Sequence, residues 1–325
     1  MIGLALTPVP ARSAAWWPAG SVFAADFANG RYMKDGVHIP QSAAFTLTRA
    51  SEKLAQTRSG EWKLFPPDVP AITDLGLFCE PEETFYPVNA LFEGALPGVV
   101  GSGGALPTNW TVLVSSGLSI EVVHTGLHGD APYIRLRLFG TTTGTDFQIA
   151  LNAYTQAAAA GETWTAALSL RHVAGETAGL TAYVRVVEET NGTFLAASSI
   201  DLPAGTDFAR GIASRELANT STSNIRSRLR LTYPSTGVFI DHTLDLLAPV
   251  LVASETTDTL VLTGPYHPAI RQQDTVVAQF PELPQDVLLA FTDGSASVEG
   301  PVTGPLTLPQ HSNSLRLVST TPDVP

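Results

Sequence analysis

The chain has almost no cysteine, the residue that cross-links a fold through disulfides and binds structural zinc. Cysteine occurs once among 325 residues, as Cys79, which excludes an internal disulfide. No Cys and His spacing is typical of a zinc site. We therefore expect Cys79 to be a small, buried, apolar side chain.

Positive charge is also scarce. The chain carries 18 Lys and Arg against 30 Asp and Glu, which gives a formal net charge of −12. Only three of the cations are lysines: Lys34, Lys53 and Lys63. This balance argues against a nucleic-acid partner, because duplex binding requires a basic face.

Long apolar runs are missing too, so we expect no membrane insertion. Residues 1–8 carry no basic leader and end in a proline, and they therefore predict no signal peptide. The expectation is a protein that is made in a cytoplasm and stays soluble there.

Residues that favour strands and turns are abundant. Charged residues make up 15% of the chain and hydrophobic residues 44%, with 27 Gly and 24 Pro. This composition favours a β-rich globular protein with frequent turns. The length of 325 residues leaves room for two or three domains.

Residues 85–252 show the most regular strand pattern. Period-two segments alternate with Gly, Pro and Asn turns, and Asn191-Gly192 is the strongest hairpin signal. Strands at this spacing predict an all-β fold, an antiparallel β-sandwich of the jelly-roll type. The predicted strands span residues 118–124, 132–139, 146–151, 163–172, 179–189, 193–200, 207–214, 227–233 and 237–251.

The two flanking segments show weaker patterns. Residues 1–84 are an irregular N-terminal segment that we expect to anchor or wrap, either on the sandwich or within an assembly. Residues 253–325 form a small C-terminal β-rich segment, either a second β-unit or a strap onto a neighbouring subunit. Short strands are predicted near 44–49, 61–65, 259–262, 275–280 and 286–291.

Alternation assigns side chains to the faces of each predicted strand. In the 132–139 strand, Ile134 and Leu136 face the core while Arg135 and Arg137 face outward. Outward Arg and Tyr residues predict a binding face for acidic or hydroxyl-rich glycans, because guanidinium groups pair with carboxylates and aromatic rings stack on sugars. The candidate glycan-binding residues are Tyr133, Arg135, Arg137, Arg171, Tyr183, Arg185, Arg228 and Arg230.

A simpler interpretation of these eight residues stays open. Outward strand positions are often polar, and an Arg across from Glu or Thr keeps a sheet soluble. Strands adjacent in sequence can also lie in different sheets of a jelly roll, which would scatter the set.

The sequence offers little for catalysis or metal binding. Its histidines show no local motif with a Ser or Cys nucleophile, so we expect no enzyme and no catalytic residue. Glu188 and Glu189 point to opposite faces of a strand and cannot act as an acid/base pair. No cofactor is predicted, although Glu93 and Asp241 could meet and hold a structural calcium ion. A surface Asp241 that binds no ion is the simpler alternative.

Two fragments near the start of the chain stand out. Asp26-Phe27 precedes the fragment from Phe45 to Ser51, and a second fragment runs from Gly76 to Thr84. They resemble a pattern in the attachment and decoration proteins of tailed phages and of phage-like particles such as gene transfer agents. Phe85 stands where the pattern usually has Asn. The resemblance implies a head or tail spike or fibre component of a virion or phage-like particle, assembled in a bacterial cytoplasm.

The sandwich region carries a second set of short motifs in a fixed order. They are Asn89 to Glu93, Pro107 to Trp110, Ala160 to Trp164, and Ile240-Asp241 ahead of Leu247 to Pro249. This order is similar to that of jelly-roll carbohydrate-binding modules in glycan-degrading enzymes and phage fibres. The resemblance implies carbohydrate binding, but it transfers no sugar-contacting residue, since those residues vary among such modules.

Together these features predict a structural or attachment component of a phage-like particle that helps to bind host surface polysaccharide. Its partners would be other particle proteins and further copies of itself, so that repetition multiplies weak contacts. Two alternatives stay open. One is a free-standing carbohydrate-binding module of a bacterial polysaccharide system, and the other is a glycan hydrolase or lyase.

Overall fold

Antiparallel strands make up almost all of the regular structure. The computed structural model describes residues 16–153, 155–176, 179–255, 258–280, 285–311 and 314–321. The all-β prediction is confirmed, since the helical elements are the four-residue α1 (Gln41–Ala44) and a 3₁₀ turn at Phe27–Asn29. Residues 1–8, for which we predicted no signal peptide, lie outside the described residues. Within the described ranges no helix is long and apolar enough to cross a bilayer.

The strands are short in both flanking segments and longer in the middle of the chain. In chain order they are β1 (Phe23–Asp26), β2 (Arg31–Lys34), β3 (Val37–His38), β4 (Phe45–Thr48), β5 (Lys53–Gln56), β6 (Trp62–Phe65), β7 (Ile72–Thr73), β8 (Gly76–Leu77), β9 (Glu83–Phe85), β10 (Gly98–Val99), β11 (Thr111–Val114), β12 (Ser119–His128), β13 (Ala131–Thr141), β14 (Asp146–Ala150), β15 (Gln156–Ala157), β16 (Thr163–Gly175), β17 (Thr181–Thr190), β18 (Thr193–Leu202), β19 (Ala209–Glu216), β20 (Asn224–Thr232), β21 (Phe239–Val252), β22 (Thr259–Leu260), β23 (Ala269–Arg271), β24 (Thr275–Ala278), β25 (Gln285–Phe291), β26 (Ala296–Val302), β27 (Leu306–Thr307) and β28 (Leu315–Thr321).

The middle of the chain builds the predicted sandwich from two sheets. The first sheet has the order β10-β12-β13-β21-β16-β19, and the second has the order β11-β14-β20-β17-β18. Their inner faces share one apolar core, in which Ile134 and Leu136 of the first sheet lie with Val184 and Leu229 of the second. Each of these four side chains is at most 1% exposed, as the alternation predicted.

The hairpin between β17 and β18 turns at Asn191 and Gly192. Both residues have positive φ, 48° and 80°, which a tight two-residue turn requires and which Asn and Gly adopt at low cost. The predicted hairpin is therefore confirmed. A register shift between Glu188 and Glu189 then sets Arg185 opposite Ser199.

The two flanking segments join in one unit, named here the split domain, which consists of the described parts of residues 16–82 and 258–321. β1 pairs with β2 on one side and with β28 on the other. β4 pairs with β24, and β5 pairs with β22. Cys79 is buried there, as predicted. The shared core contains Phe23, Phe45, Cys79, Val276, Leu289 and Val318. The sequence left the partners of these segments open, and the structure pairs them with each other around the inserted sandwich.

Buried charges tie the two segments of the split domain together. Lys53 Nζ lies 2.5 Å from Asp274 Oδ2 and 3.0 Å from Glu80 Oε2, and Arg49 Nη1 lies 3.0 Å from Asp274 Oδ1. None of the four residues is more than 2% exposed. Each charge therefore depends on its partners, because an unpaired buried charge is strongly destabilising. Arg49 and Glu80 belong to the two fragments that resemble phage proteins, and here they hold the fold together.

The split domain covers part of the outer face of the first sheet. Trp62 of β6 is buried, and the Arg210 guanidinium carbon lies 5.0 Å from its ring centroid. A Cβ at Gly129 would lie 2.3 Å from the Trp62 carbonyl oxygen, so this approach requires glycine. Farther from Trp62 and Gly129 the same outer face is open to solvent, since the Arg137 side chain there is 40% exposed. The sandwich thus has one outer face that is partly covered by the split domain.

Candidate functional site

The eight predicted residues divide between the two outer faces of the sandwich. Those on the first sheet, on β13 and β16, are Tyr133, Arg135, Arg137 and Arg171. Those on the second sheet, on β17 and β20, are Tyr183, Arg185, Arg228 and Arg230. Because the apolar core separates the sheets, the eight residues do not form one surface. The expectation of a single Arg- and Tyr-lined face is corrected in this respect, since strands adjacent in sequence lie in different sheets.

On the first-sheet face, one carboxylate binds two arginines. Arg135 donates from Nε and Nη2 to the two oxygens of Asp245 at 2.7 and 2.9 Å, and Arg171 donates from Nε to Oδ2 at 2.8 Å. Asp245 of β21 lies opposite Arg135 on one side and Arg171 on the other, and it is fully buried. The hydrogen bonds with Asp245 raise the pKa of Arg135. The charges of Arg135 and Arg171 are therefore already paired within the protein.

Arg137 is compensated in the same way. It donates from Nε and Nη2 to the two oxygens of Asp241 at 2.7 and 2.8 Å, and its Nη1 lies 3.3 Å from Glu121 Oε2. The hydrogen bonds raise the pKa of Arg137 and lower that of Asp241. Both oxygens of Asp241, predicted with Glu93 as a calcium ligand, are thus engaged. Among the described residues no group of three or more His, Cys, Asp or Glu side chains could hold a metal ion.

Tyr133 packs against the backbone of β12. A Cβ at Gly126 would lie 2.8 Å from the Tyr133 ring, so glycine is required beneath it. The Tyr133 hydroxyl and His124 Nε2 are 2.9 Å apart. The guanidinium carbons of Arg135 and Arg171 lie 5.9 and 5.8 Å from the ring centroid. The ring is thus held in place by neighbours within the protein, as the arginines are.

The second-sheet face brings its four predicted residues into register. Tyr183 of β17 lies opposite Arg230 of β20, and Arg185 lies opposite Arg228. Strand alternation puts all four side chains on the side away from the core. With Arg226, which lies on β20 in the same alternation phase, four cations therefore lie on two neighbouring strands of an acidic protein.

Carboxylates compensate three of these four arginines, and Arg226 Nη2 lies 3.3 Å from Glu189 Oε2. Arg230 Nε donates to Asp146 Oδ1 at 2.8 Å. Arg228 pairs with Glu189 and also donates to Gln148 Oε1 at 3.1 Å. These pairs of a guanidinium with a carboxylate are like those of the first-sheet face. The remaining guanidinium on β17 and β20 is that of Arg185.

Arg185 has no carboxylate partner within the described part of the chain. Its Nε donates to Ser199 Oγ at 3.0 Å, which is a neutral acceptor. Burial, together with the positive charges of Arg230 and Arg228, lowers the pKa of Arg185. The residue is only 9% exposed. The fold thus holds one partly desolvated cation beside like charges, a setting that an anion would stabilise.

Aromatic rings lie beside this cation. The Phe194 ring centroid is 5.9 Å from the guanidinium carbon of Arg185, and the Tyr183 ring is 5.9 Å from that of Arg230. Phe194 is 52% exposed. Sequence reasoning missed Phe194 and Ser199. Counting back from the Asn191-Gly192 turn would set Arg185 opposite Ser198, and only the register shift corrects this.

Known proteins that are similar to this chain share little of its sequence. No protein-family model and no curated protein matches it. Similar solved structures include a CBM4 module, 12% identical, which covers 44% of this chain and 86% of its own, with a TM-score of 0.28. The CBM22-1 xylan-binding domain of Paenibacillus barcinonensis Xyn10C is 13% identical over 55% of this chain and 99% of its own, with a TM-score of 0.32.

An enzyme is also among these structures. A cyclase from Fischerella sp. TAU is 12% identical, covers 54% of this chain and 99% of its own, and has a TM-score of 0.37. Similarity at this level transfers no role to any residue. A function has to be argued from the faces of the sandwich themselves.

Proposed function

We propose that the chain is a carbohydrate-binding protein and that its second-sheet face binds an acidic polysaccharide, with Arg185 as the anchoring cation. The observation that carries the proposal is the guanidinium of Arg185, which lies beside two other arginines and has no carboxylate partner among the described residues. The three predicted arginines of the first-sheet face, Arg135, Arg137 and Arg171, all have one.

The chemistry of the second-sheet face fits a sugar acid. A planar guanidinium pairs with a carboxylate through two parallel hydrogen bonds, and the charge makes these bonds stronger than neutral ones. The exposed ring of Phe194 and the half-buried ring of Tyr183 offer apolar surfaces on which the faces of neighbouring sugar units can stack. Hydroxyl groups of the ligand can accept from or donate to Gln148 and Ser199.

The burial of the Arg185 guanidinium favours the binding of an anion at the second-sheet face. Arg185 has lost most of its contact with water but forms no ion pair with a described carboxylate, and the nearby charge of Asp146 offsets only part of the effect of burial. An incoming carboxylate therefore meets a cation that is already partly desolvated and already oriented by Ser199. Binding should weaken as salt is added, because part of the attraction comes from exposed charges.

The proposed role is binding without catalysis. It corresponds to a free-standing carbohydrate-binding module, which was one of the alternatives left open by the sequence. Attachment to a phage-like particle stays a prediction, and the resemblance that raised it involves Arg49 and Glu80, whose observed contacts lie inside the split domain.

The test compares matched arginine variants from the two faces. Polygalacturonate should bind the unmodified protein, and Arg185→Gln should weaken that binding about tenfold or more, since a charge-assisted hydrogen-bond pair is lost. Arg137→Gln on the first-sheet face serves as the control and should leave binding unchanged. Affinity electrophoresis in gels with polygalacturonate or neutral dextran measures both.

Two results would overturn the proposal. One is equal retardation of both variants by polygalacturonate, which would remove Arg185 from the site. The other is stronger binding to dextran than to polygalacturonate, which would remove the acidic ligand class.

A further inference from the structure

A cavity lies in the split domain, apart from the second-sheet face of the sandwich. Its volume is about 480 Å³, and its walls come from both flanking segments. Trp16, Asp26 and Arg31 line it from the first segment, and Ser295 and Arg316 line it from the second. The cavity therefore exists only where the two segments have paired.

A β-bulge directs Arg316 towards this cavity. Ala290 of β25 lies opposite Leu317, whereas the next residue, Phe291, lies opposite Leu315, so Arg316 is the extra residue on β28. Bulges bend a strand and re-aim the side chain of the extra residue. A Cβ at Gly76 would lie 2.4 Å from the Leu315 carbonyl oxygen, so glycine is required for the strand β8 to approach the bulge.

The charges around the cavity leave Arg316 in surplus. Asp26 pairs with Arg31, and it accepts from Asn29 Nδ2 at 3.0 and 2.8 Å and from Asn29 N at 3.2 Å. The single carboxylate on the wall is thus neutralised within the fold. Arg316 is exposed and forms no ion pair with any described residue.

Trp16 adds an aromatic residue to the wall of the cavity. The indole Nε1 of Trp16 is buried and has no hydrogen-bond partner among the described residues. The guanidinium carbon of Arg31 lies 5.0 Å from the Trp16 ring centroid and fixes one side of the ring. Because the Nε1 atom is closed to water-sized molecules, Trp16 offers its ring rather than its N–H to a ligand in the cavity.

We propose that this cavity binds a single carboxylated sugar unit, a hexuronate. Arg316 would pair with the carboxylate, and the ring of Trp16 would pack against the apolar face of the sugar. A volume of about 480 Å³ lies in the range of small-ligand sites and holds one or two sugar units. The open second-sheet face suits a polymer, whereas this cavity suits a monosaccharide or a chain end. The proposal does not depend on Arg185.

The test uses the full chain labelled with ¹⁵N at its five tryptophan indoles. Trp16→Phe identifies the Trp16 indole peak by its disappearance. Titration with glucuronate should shift this peak, whereas glucose, which lacks the carboxylate, should not. Arg316→Gln should weaken glucuronate binding about tenfold or more, because it removes the charge-assisted pair. Arg58→Gln, an exposed arginine outside the cavity, is the matched control and should bind as the unmodified protein does.

The readouts separate this site from the second-sheet face. Arg316→Gln should retain binding to polygalacturonate, and Arg185→Gln should retain the glucuronate shift of the Trp16 peak. The proposal is overturned if glucuronate leaves the Trp16 peak in place, if glucose shifts it equally, or if Arg316→Gln and Arg58→Gln bind glucuronate alike. A melting temperature unchanged from that of the unmodified protein, expected because Arg316 is exposed, shows that the variant is folded.

Discussion

The split domain and the second-sheet face of the sandwich both bury cations, and they do so in opposite settings. In the split domain Lys53 and Arg49 each lie within 3.0 Å of Asp274. On the second-sheet face Arg185 is almost as buried, but its hydrogen-bond partner is the neutral Ser199. The first arrangement completes its own charge balance and stabilises the fold. The second arrangement leaves a positive charge with which the carboxylate of a ligand can pair.

This difference shows that how distinctive a sequence motif is does not indicate whether its charged residues are free to bind a ligand. The fragments containing Arg49 and Glu80 were the most distinctive in the chain, and their charges are consumed inside the split domain. Arg185 lies in an ordinary strand pattern, and its setting depends on neighbours from three other strands. Charged residues of a distinctive motif, such as Arg49 and Glu80, can thus be structural. A charged residue of an ordinary alternating strand, such as Arg185, can be available to a ligand.

The largest effect is expected from breaking the compensated cluster. Asp274→Asn removes the carboxylate shared by Lys53 and Arg49, and it should lower the free energy of unfolding by about 3–5 kcal/mol, because buried Arg49 loses its carboxylate partner and buried Lys53 loses one of two. Urea denaturation measures this loss. Asp74→Asn is the control, since the Asp74 carboxylate accepts from Arg58 N on the surface and its loss should cost about 1 kcal/mol or less. Equal stability of the two variants would mean that the cluster does not hold the split domain together.

A smaller effect is expected from acid, and it should act on the sandwich. Burial lowers the pKa of His242 to about 4, from an unfolded value near 6.5. Between these values the unfolded chain takes up a proton that the folded chain does not, so stability falls as the pH drops from 6.5 to 4. The contribution is roughly 3 kcal/mol. Urea denaturation of the protein and of His242→Gln across this range should show that the variant lacks this part of the pH dependence.

The junction with the split domain should respond to acid with the opposite sign. Burial raises the pKa of Asp258 to about 6. The folded chain therefore binds the extra proton, and this residue adds stability as the pH falls from 6 towards its unfolded value of about 3.8. Asp258→Asn should gain stability over the unmodified protein at pH 7 and lose that advantage at pH 4. A constant difference at both pH values would contradict the shift.

The smallest effect is expected where the charge is uncompensated. Arg185→Met removes a buried cation that has no carboxylate partner, and it should leave the free energy of unfolding unchanged or raise it by up to about 1 kcal/mol. Arg137→Met, at an exposed pair, should lower the free energy of unfolding only slightly. If Arg185→Met instead unfolds the sandwich, Arg185 has a structural role and the contrast with the split domain disappears.

Local patterns in the sequence predicted the sandwich well. The alternation in β13, β17 and β20 identified the inward residues, and Asn191-Gly192 identified the hairpin. These signals are local, because period-two burial and a tight turn each involve only a few consecutive residues. The inward positions Ile134 and Leu229 are examples.

Long-range pairing could not be predicted in the same way. Nothing local indicates that Phe23 shares a core with Val318 or that Arg135 and Arg185 lie on opposite sides of the sandwich. The candidate site was therefore half predicted: the residue types were identified, but their division between two sheets was not. Asp245, which decides the role of Arg135 and Arg171, has that position only through the pairing of β21 with both β13 and β16.

The pairing of the two flanking segments also sets the order in which the molecule can be completed during synthesis. Val22 N donates to Thr320 Oγ1 across 298 positions of sequence. At ribosomal speeds of about 5–20 residues per second, β1 waits on the order of 15 to 60 seconds for β28 to emerge. The apolar strands of the first segment are without their final partners for that time, whereas the sandwich can fold as soon as β21 has left the ribosome. Nascent-chain arrest far enough beyond residue 252 for β21 to have left the ribosome should therefore yield a folded sandwich attached to a segment that chaperones still bind.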